Sequence, residues 1–170
     1  NAREFAKRLR EHARNRPQQL VAHAQREIAD AVSTTFVGTT PVDEGDARGG
    51  YVAAVGSDPA GTGQRDPDGT PTIRRLRTVG RSIRGFDRYV LRNRWRYWAV
   101  LNNGLFDPAN PGPSNDPRPH RKGRIWVVNR YSVQAPQGMS VHALQAARVA
   151  FLGSARRFAA TRSRGRAMPV

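Results

Sequence analysis

The chain has 170 residues, with 29 Lys+Arg against 13 Asp+Glu, a formal charge of +16 and a pI near 11.7; only 38% of it is hydrophobic, with 12 Pro and 16 Gly. That length suits one domain with a real core, and the absence of Cys excludes disulfides and cysteine-ligated metal. No apolar run approaches the roughly 20 residues needed to cross a bilayer and no signal-peptide pattern opens the chain, so the expectation is a soluble protein made in the cytoplasm.

The chain opens with two helical stretches. Phe5, Leu9 and His12 mark one face of the first, which Pro17 is expected to interrupt or restart. From Pro17 the apolar positions Leu20, Val21, Ala24, Ile28, Ala31 and Val32 recur at helical spacing to about Phe36, with Gly38 as terminator. The polar turn Pro41-Val-Asp-Glu-Gly-Asp46 follows, and Ala47 to Val55 reads as a strand weakened by Gly49 and Gly50. Residues 56–72 are a loop by composition. Ile73 to Ile83 is Arg-rich and fits either a strand or a short helix, and Gly85 breaks it. Tyr89 to Leu91 and Tyr97 to Leu101 read as two strands, the second closed by Asn102-Asn-Gly104.

A loop with five prolines, Asp107 to Pro119, gives way to the β-prone run Arg124-Ile-Trp-Val-Val128. The uncharged segment Tyr131 to Met139 comes next, and Ser140 is placed to cap a helix. Val141, Leu144, Ala147, Phe151, Ala155 and Phe158 form the expected buried stripe of that helix. The order predicts an α+β domain over residues 1–160, a small, mostly antiparallel sheet flanked by a long N-terminal and a C-terminal helix. Loop insertions are expected at about 56–72 and 105–123, and a basic tail at 161–170.

Catalytic chemistry finds little support. His12, His23, His120 and His142 show no metal-ligand spacing. Asp43, Glu44 and Asp46 read as an ordinary polar turn, and Asp58, Asp66 and Asp68 are scattered through loop without the support that holds a catalytic group. Phosphate-loop, nucleophile-elbow and zinc-protease motifs are absent. The expectation is a protein that is not an enzyme and takes no cofactor or metal.

Charge carries more information. Only Lys7 and Lys122 are lysines, and the 54 positions after Asp116 hold ten Arg and one Lys with no acid. Between Arg74 and Arg96 nine arginines surround a single acid, Asp87, and the aromatics Tyr89, Trp95, Tyr97 and Trp98 fall among or just after them. Such a surface suits phosphates or an acidic protein; an arginine-decorated solvated face accounts for it equally well. The candidates for contact with DNA or an acidic partner are Arg74, Arg75, Arg77, Arg81, Arg121, Lys122 and Arg124. No spacing for a module that reads bases is visible.

Three segments add a resemblance. Thr40-Pro-Val-Asp-Glu-Gly-Asp-Ala-Arg-Gly49 looks like "TPVDTGRLRGS", with Glu44 and Asp46 as departures. Tyr97, Ala99, Leu101 and Gly104 match "PYA..LE.G", with Trp98 inserted and Asn102 in place of Glu. Ser132-Val-Gln-Ala-Pro-Gln-Gly-Met139 is close to "SKQAPQGM" just before the last helix. In this order they resemble the tail-completion and neck (head–tail joining) proteins of long-tailed bacteriophages, the lambda and HK97 minor tail protein types. Here Leu105 to Arg130 intervenes where the family's second and third segments lie nearly adjacent.

The resemblance implies a structural virion protein at the head–tail junction, in a phage or a gene transfer agent. It implies a homo-oligomer, usually a hexameric ring, beside adaptor, stopper or terminator neck proteins and the tail-tube protein, with double-stranded DNA passing and no membrane. The residues it points to for contact between subunits or with neck partners are Pro41, Asp43 and Gly45 in the first segment and Tyr97, Asn102 and Gly104 in the second. In the third they are Gln134, Pro136, Gln137, Gly138 and Met139. A non-specific nucleic-acid-binding protein is the alternative.

Overall fold

The computed structural model describes residues 2–41, 45–95, 98, 102, 120–122, 125–128, 131–132 and 138–163. Helix α1, Ala2–Thr39, is continuous through Pro17, so the expected interruption does not occur. A proline inside a helix removes one backbone hydrogen bond and crowds the preceding turn without necessarily ending it. At 38 residues α1 is about 57 Å long.

The deepest positions of α1 are Ala22, Ala29, Ser33 and Val37. The stripe expected from the sequence, Leu20 to Val32, is half-buried. The difference arises because α1 is packed on two sides. Its small-residue side meets helix α3, Thr70–Arg81, where a Cβ placed on Gly80 would lie 3.6 Å from that of Ala29. The same side reaches strand β2, Tyr89–Asn93, where the Ser33 hydroxyl bonds Tyr89 at 2.9 Å. The opposite side meets the C-terminal helix α4, Met139–Ser163: Glu27 accepts hydrogen bonds from Ser154 and Arg157, and His23 lies 3.3 Å from Glu27. Burial acts to raise the Glu27 carboxyl, but these donors and His23 outweigh it and hold the group below its usual value.

The expected strand over 47–55 divides in two. Asp46–Gly49 forms the short helix α2, and Tyr51–Val55 forms β1. Gly45 enters α2 at φ 89°, and a Cβ on Gly49 would lie 1.6 Å from the Gln64 carbonyl. The glycines therefore admit the 56–69 loop, which folds back over α2. β1 pairs antiparallel with β2, from Tyr51 opposite Asn93 to Val55 opposite Tyr89. A second antiparallel sheet joins β3, His120–Lys122, to β4, Ile125–Val128, and β4 to β5, Tyr131–Ser132. The β-prone run is thus a strand, and part of the intervening 105–130 stretch is sheet. Together the elements make a small α+β fold with a long N-terminal helix and a C-terminal helix.

Residues 73–83, open to two readings in sequence, are mostly helical, and α3 starts at Thr70 inside the expected loop. Asp66 is the reason. Its carboxylate accepts the N–H of Gly69 at 2.8 Å and of Thr72 at 2.9 Å, capping α3 while Pro71 occupies the first turn. Asp66 is 5% exposed, which corrects its assignment to an unsupported loop. Burial alone would raise its carboxyl. Hydrogen bonding from Thr72 and Gly69, with the nearby Arg48 guanidinium, reverses that and holds it below the ordinary value.

The Asp66 contribution to stability is therefore complete above about pH 4, the unfolded carboxyl's value, and is lost as pH falls through the lower folded one. Asp66→Ala should cost about 1–2 kcal/mol in urea unfolding at neutral pH. The gap between variant and parent should shrink in acid; an unchanged gap would show that the carboxylate charge is irrelevant to the cap.

Candidate functional site

Thr40, Trp98 and Met139, one from each of the three segments, meet Tyr51, which lies outside them, at one buried point. Thr40, closing α1, is fully buried; its hydroxyl lies 2.6 Å from the Phe36 carbonyl and 2.8 Å from the Tyr51 hydroxyl. Trp98 donates its indole N–H to the Tyr51 oxygen at 2.5 Å. Proton counting orients the chain. Indole can only donate and the carbonyl can only accept, so Trp98 donates to Tyr51, Tyr51 to Thr40 and Thr40 to Phe36. The Met139 sulfur completes the cluster, 3.1 Å from Thr40 and 3.9 Å from Tyr51, and its side chain is fully buried.

Apolar packing surrounds this polar chain. Phe36, Tyr51 and Trp98 have ring centroids 5.8–6.5 Å apart, the Tyr51–Trp98 pair edge-on at 88°. Val37, Tyr51 and Leu76 form the buried cluster, with Ile73 and Leu91 packed on it. Burial pushes the Tyr51 hydroxyl up to about 12, although its hydrogen bonding with Thr40, Trp98 and Asn93 pulls the other way.

A second tie lies beside the first. The Asn102 side-chain oxygen accepts both the backbone N–H and the hydroxyl of Ser140, each at 2.8 Å. Helix α4 begins at Met139, so Ser140 stands in its first turn, and the cap expected of Ser140 is supplied from another segment by Asn102. The backbone is helical at Trp98, where a strand was expected, and at Asn102; Tyr97 and residues 99–101 of that expected strand lie outside the described residues. Arg48, from the first segment, donates to the Thr40 carbonyl at 3.1 Å and the Pro67 carbonyl at 2.7 Å. It ties the end of α1 to the loop that carries Asp66.

Among the residues expected to touch neighbouring subunits, Pro41, Gly45, Gly138 and Met139 are buried within this chain. Gly138, at φ 87°, supplies the left-handed turn that delivers Met139 to Thr40. Asn102 is half-buried and engaged with Ser140. These five have internal roles. Asp43, Tyr97, Gly104, Gln134, Pro136 and Gln137 lie outside the described residues.

The basic candidates divide. Arg75 is spent internally on the Gly49 and Tyr51 carbonyls, at 3.2 and 2.9 Å. Arg77 pairs with Asp30 at 2.5 Å. Arg74 and Arg81 are exposed and have no side-chain partner among the described residues. Arg121 and Lys122 lie in β3, where only the backbone is described, and Arg124 is outside the described residues. Among the described residues no three His, Asp or Glu side chains converge as a metal site, and no helix is long and apolar enough to cross a membrane.

Sequence reasoning missed Tyr51, Arg48 and Asp66. An Asp followed at a few residues by Gly-Thr-Pro is a helix-start signal that points to Asp66; the roles of Tyr51 and Arg48 depend on contacts distant in sequence. Comparison with protein-family models, curated proteins and solved structures found no match.

Tyr51 should ionise near pH 12 in an absorbance titration. Because the fold favours its neutral form, its contribution to stability is complete below the unfolded value of about 10 and is lost as pH rises toward 12. Tyr51→Phe should abolish that late step and cost about 1–3 kcal/mol, by leaving the Trp98 N–H without its acceptor. A late step that survives the substitution would assign it to another tyrosine.

Proposed function

We propose that the chain is a structural subunit at the head–tail junction of a phage-like particle, a neck or tail-completion protein that forms a ring and joins or stabilises the tail on the portal-bearing head. The convergence of the three family-like segments carries this reading. Thr40, Trp98 and Met139 come from different segments and close around one tyrosine hydroxyl, as expected if the segments form one inherited structural unit. With several motif residues committed to the interior, contact with neighbours falls to outward surfaces. The partners in this reading are other copies of the chain, adaptor, stopper or terminator proteins and the tail-tube protein, with double-stranded DNA passing through the ring.

A non-specific nucleic-acid-binding protein is the second reading. Arg74 and Arg81 favour it, because exposed guanidinium groups not already paired with acids suit phosphate oxygens. The two readings separate in particles. Electron microscopy of particles made without this chain should show filled heads apart from otherwise complete tails, restored to joined particles by the intact gene. Normal joined and infectious particles would overturn the junction assignment and leave salt-sensitive DNA binding as the activity to measure.

A further inference from the structure

Large apolar side chains stand outward in two settings. On α4 the stripe expected to be core is partly outward-facing: Leu144 is 74% exposed, Val149 71% and Phe151 55%. Nothing in the structure shows what covers that side. The second setting is the loop after α3, where the surroundings identify an occupant.

The loop from Ser82 to Arg88 holds one aromatic ring out on a fixed backbone. Ile83 is fully buried, and its carbonyl accepts two N–H groups of the Arg26 guanidinium, at 3.0 and 2.7 Å. The Asp87 carboxylate accepts the backbone N–H of Arg84 at 2.6 Å, and the Asp87 carbonyl accepts the Gln25 amide at 3.1 Å. Gly85 turns at φ 85°, where a Cβ would lie 3.8 Å from that of Gln18. Helix α1 thus clamps the loop on both sides of Phe86, whose side chain is 73% exposed. A loop ordered before its partner arrives loses little freedom on binding.

The charge around Phe86 is positive. From Thr70 to Asn93 the chain has seven arginines and one acid, Asp87. Asp30 reaches this face to pair with Arg77, and Asp58 to pair with Arg88 and Arg92. Arg84, like Arg74 and Arg81, is exposed and has no side-chain partner among the described residues. Helical spacing places Arg74 and Arg81 on one face of α3, about 10 Å apart along its axis, and Arg84 and Phe86 follow just beyond its end. Phe86 is the one large apolar side chain exposed between Thr70 and Asn93. That isolation bears on the partner. A protein hot spot sits in a packed pocket ringed by further contacts, and a bilayer anchor needs a broad apolar face. A lone ring among unpaired guanidinium groups suits a base stacked on it, with the neighbouring phosphates held by arginine.

We propose that Phe86 is a stacking platform for an unpaired base of a nucleic acid, with Arg81 and Arg84 on the phosphates that flank it. The stacking rests on the nucleic-acid reading for its phosphate contacts and does not depend on the junction reading. In a duplex the base faces are covered by their neighbours, so Phe86 has no part in binding it. Arginine contacts with phosphate serve single strands and duplex alike.

Fluorescence anisotropy of the full chain tests this with three labelled probes of equal length: a thymidine strand of about 16 nucleotides, an abasic strand and a duplex. The parent should bind the thymidine strand at least about fivefold more tightly than the abasic one, the lower end of what one stacked base contributes. Phe86→Ala should remove that difference and leave duplex binding and the circular dichroism unchanged, because the ring is exposed; Phe86→Trp should retain the difference. The double substitution Arg81→Gln/Arg84→Gln should lower the salt dependence on the thymidine strand by about 1.4, roughly 0.7 for each lost phosphate contact. Equal affinity for the thymidine and abasic strands, or a Phe86→Ala variant that keeps the difference or loses duplex binding with it, would overturn the stacking. Salt-sensitive duplex binding in that case would leave the nucleic-acid reading standing. A parent that binds none of the three probes at low salt would overturn both. Displacement of the thymidine strand by polyglutamate as readily as by unlabelled thymidine strand would assign the face to an acidic protein and overturn the proposal.

Discussion

The Tyr51 hydroxyl gives the fold a fixed point. It accepts from Trp98 and donates to Thr40, and Thr40 passes the sequence of bonds to the Phe36 carbonyl at the end of α1. The Trp98 indole and the Tyr51 and Thr40 hydroxyls each have a partner in this relay, and partial satisfaction of such a network costs more than an apolar core would. The consequence is a strict register between the C-terminal end of α1, the first residue of β1, Trp98 and the start of α4. Sliding any one of them leaves a buried donor or acceptor unpaired.

From that point the rest of the body is placed. The start of α4 is held twice, by Met139 against Thr40 and by Asn102 on Ser140, and its later turns are held by Glu27 bonding Ser154 and Arg157. On the other side, Arg48 and Asp66 fold the 56–69 loop over α2 and start α3. The uncharged stretch before α4 makes physical sense at its end: Gly138 turns and Met139 enters a fully buried site. Desolvating an arginine or carboxylate there would be expensive without a partner. The interior so formed uses small residues on α1 and leaves large apolar ones outward on α4.

What the sequence showed follows the range of the forces. Helices with strong periodicity, the β-prone run at 125–128 and the α+β class were readable because local spacing determines them. The α4 stripe was assigned to the wrong side because Leu144 and Phe151 share helical spacing as good as that of Met139 and Ala143, and only α1 decides between them. At Trp98 a related ambiguity holds: aromatic residues favour strands and cores alike, and Trp98 serves the core from helical backbone. Met139, Gly138 and Asn102, expected at contacts with neighbours, are engaged within this chain. Sequence alone does not separate a residue retained for packing from one retained for a partner.

Amide hydrogen exchange on the full chain tests the dependence on Tyr51 most directly. If the buried network couples the elements, the amides of β1 near Tyr51 and those of α4 just after Ser140 open together, with the slowest exchange in the protein, and Tyr51→Phe accelerates both sets equally. Exchange in α4 that is much faster than in β1, or that is untouched by the substitution, would show that the two elements are held independently.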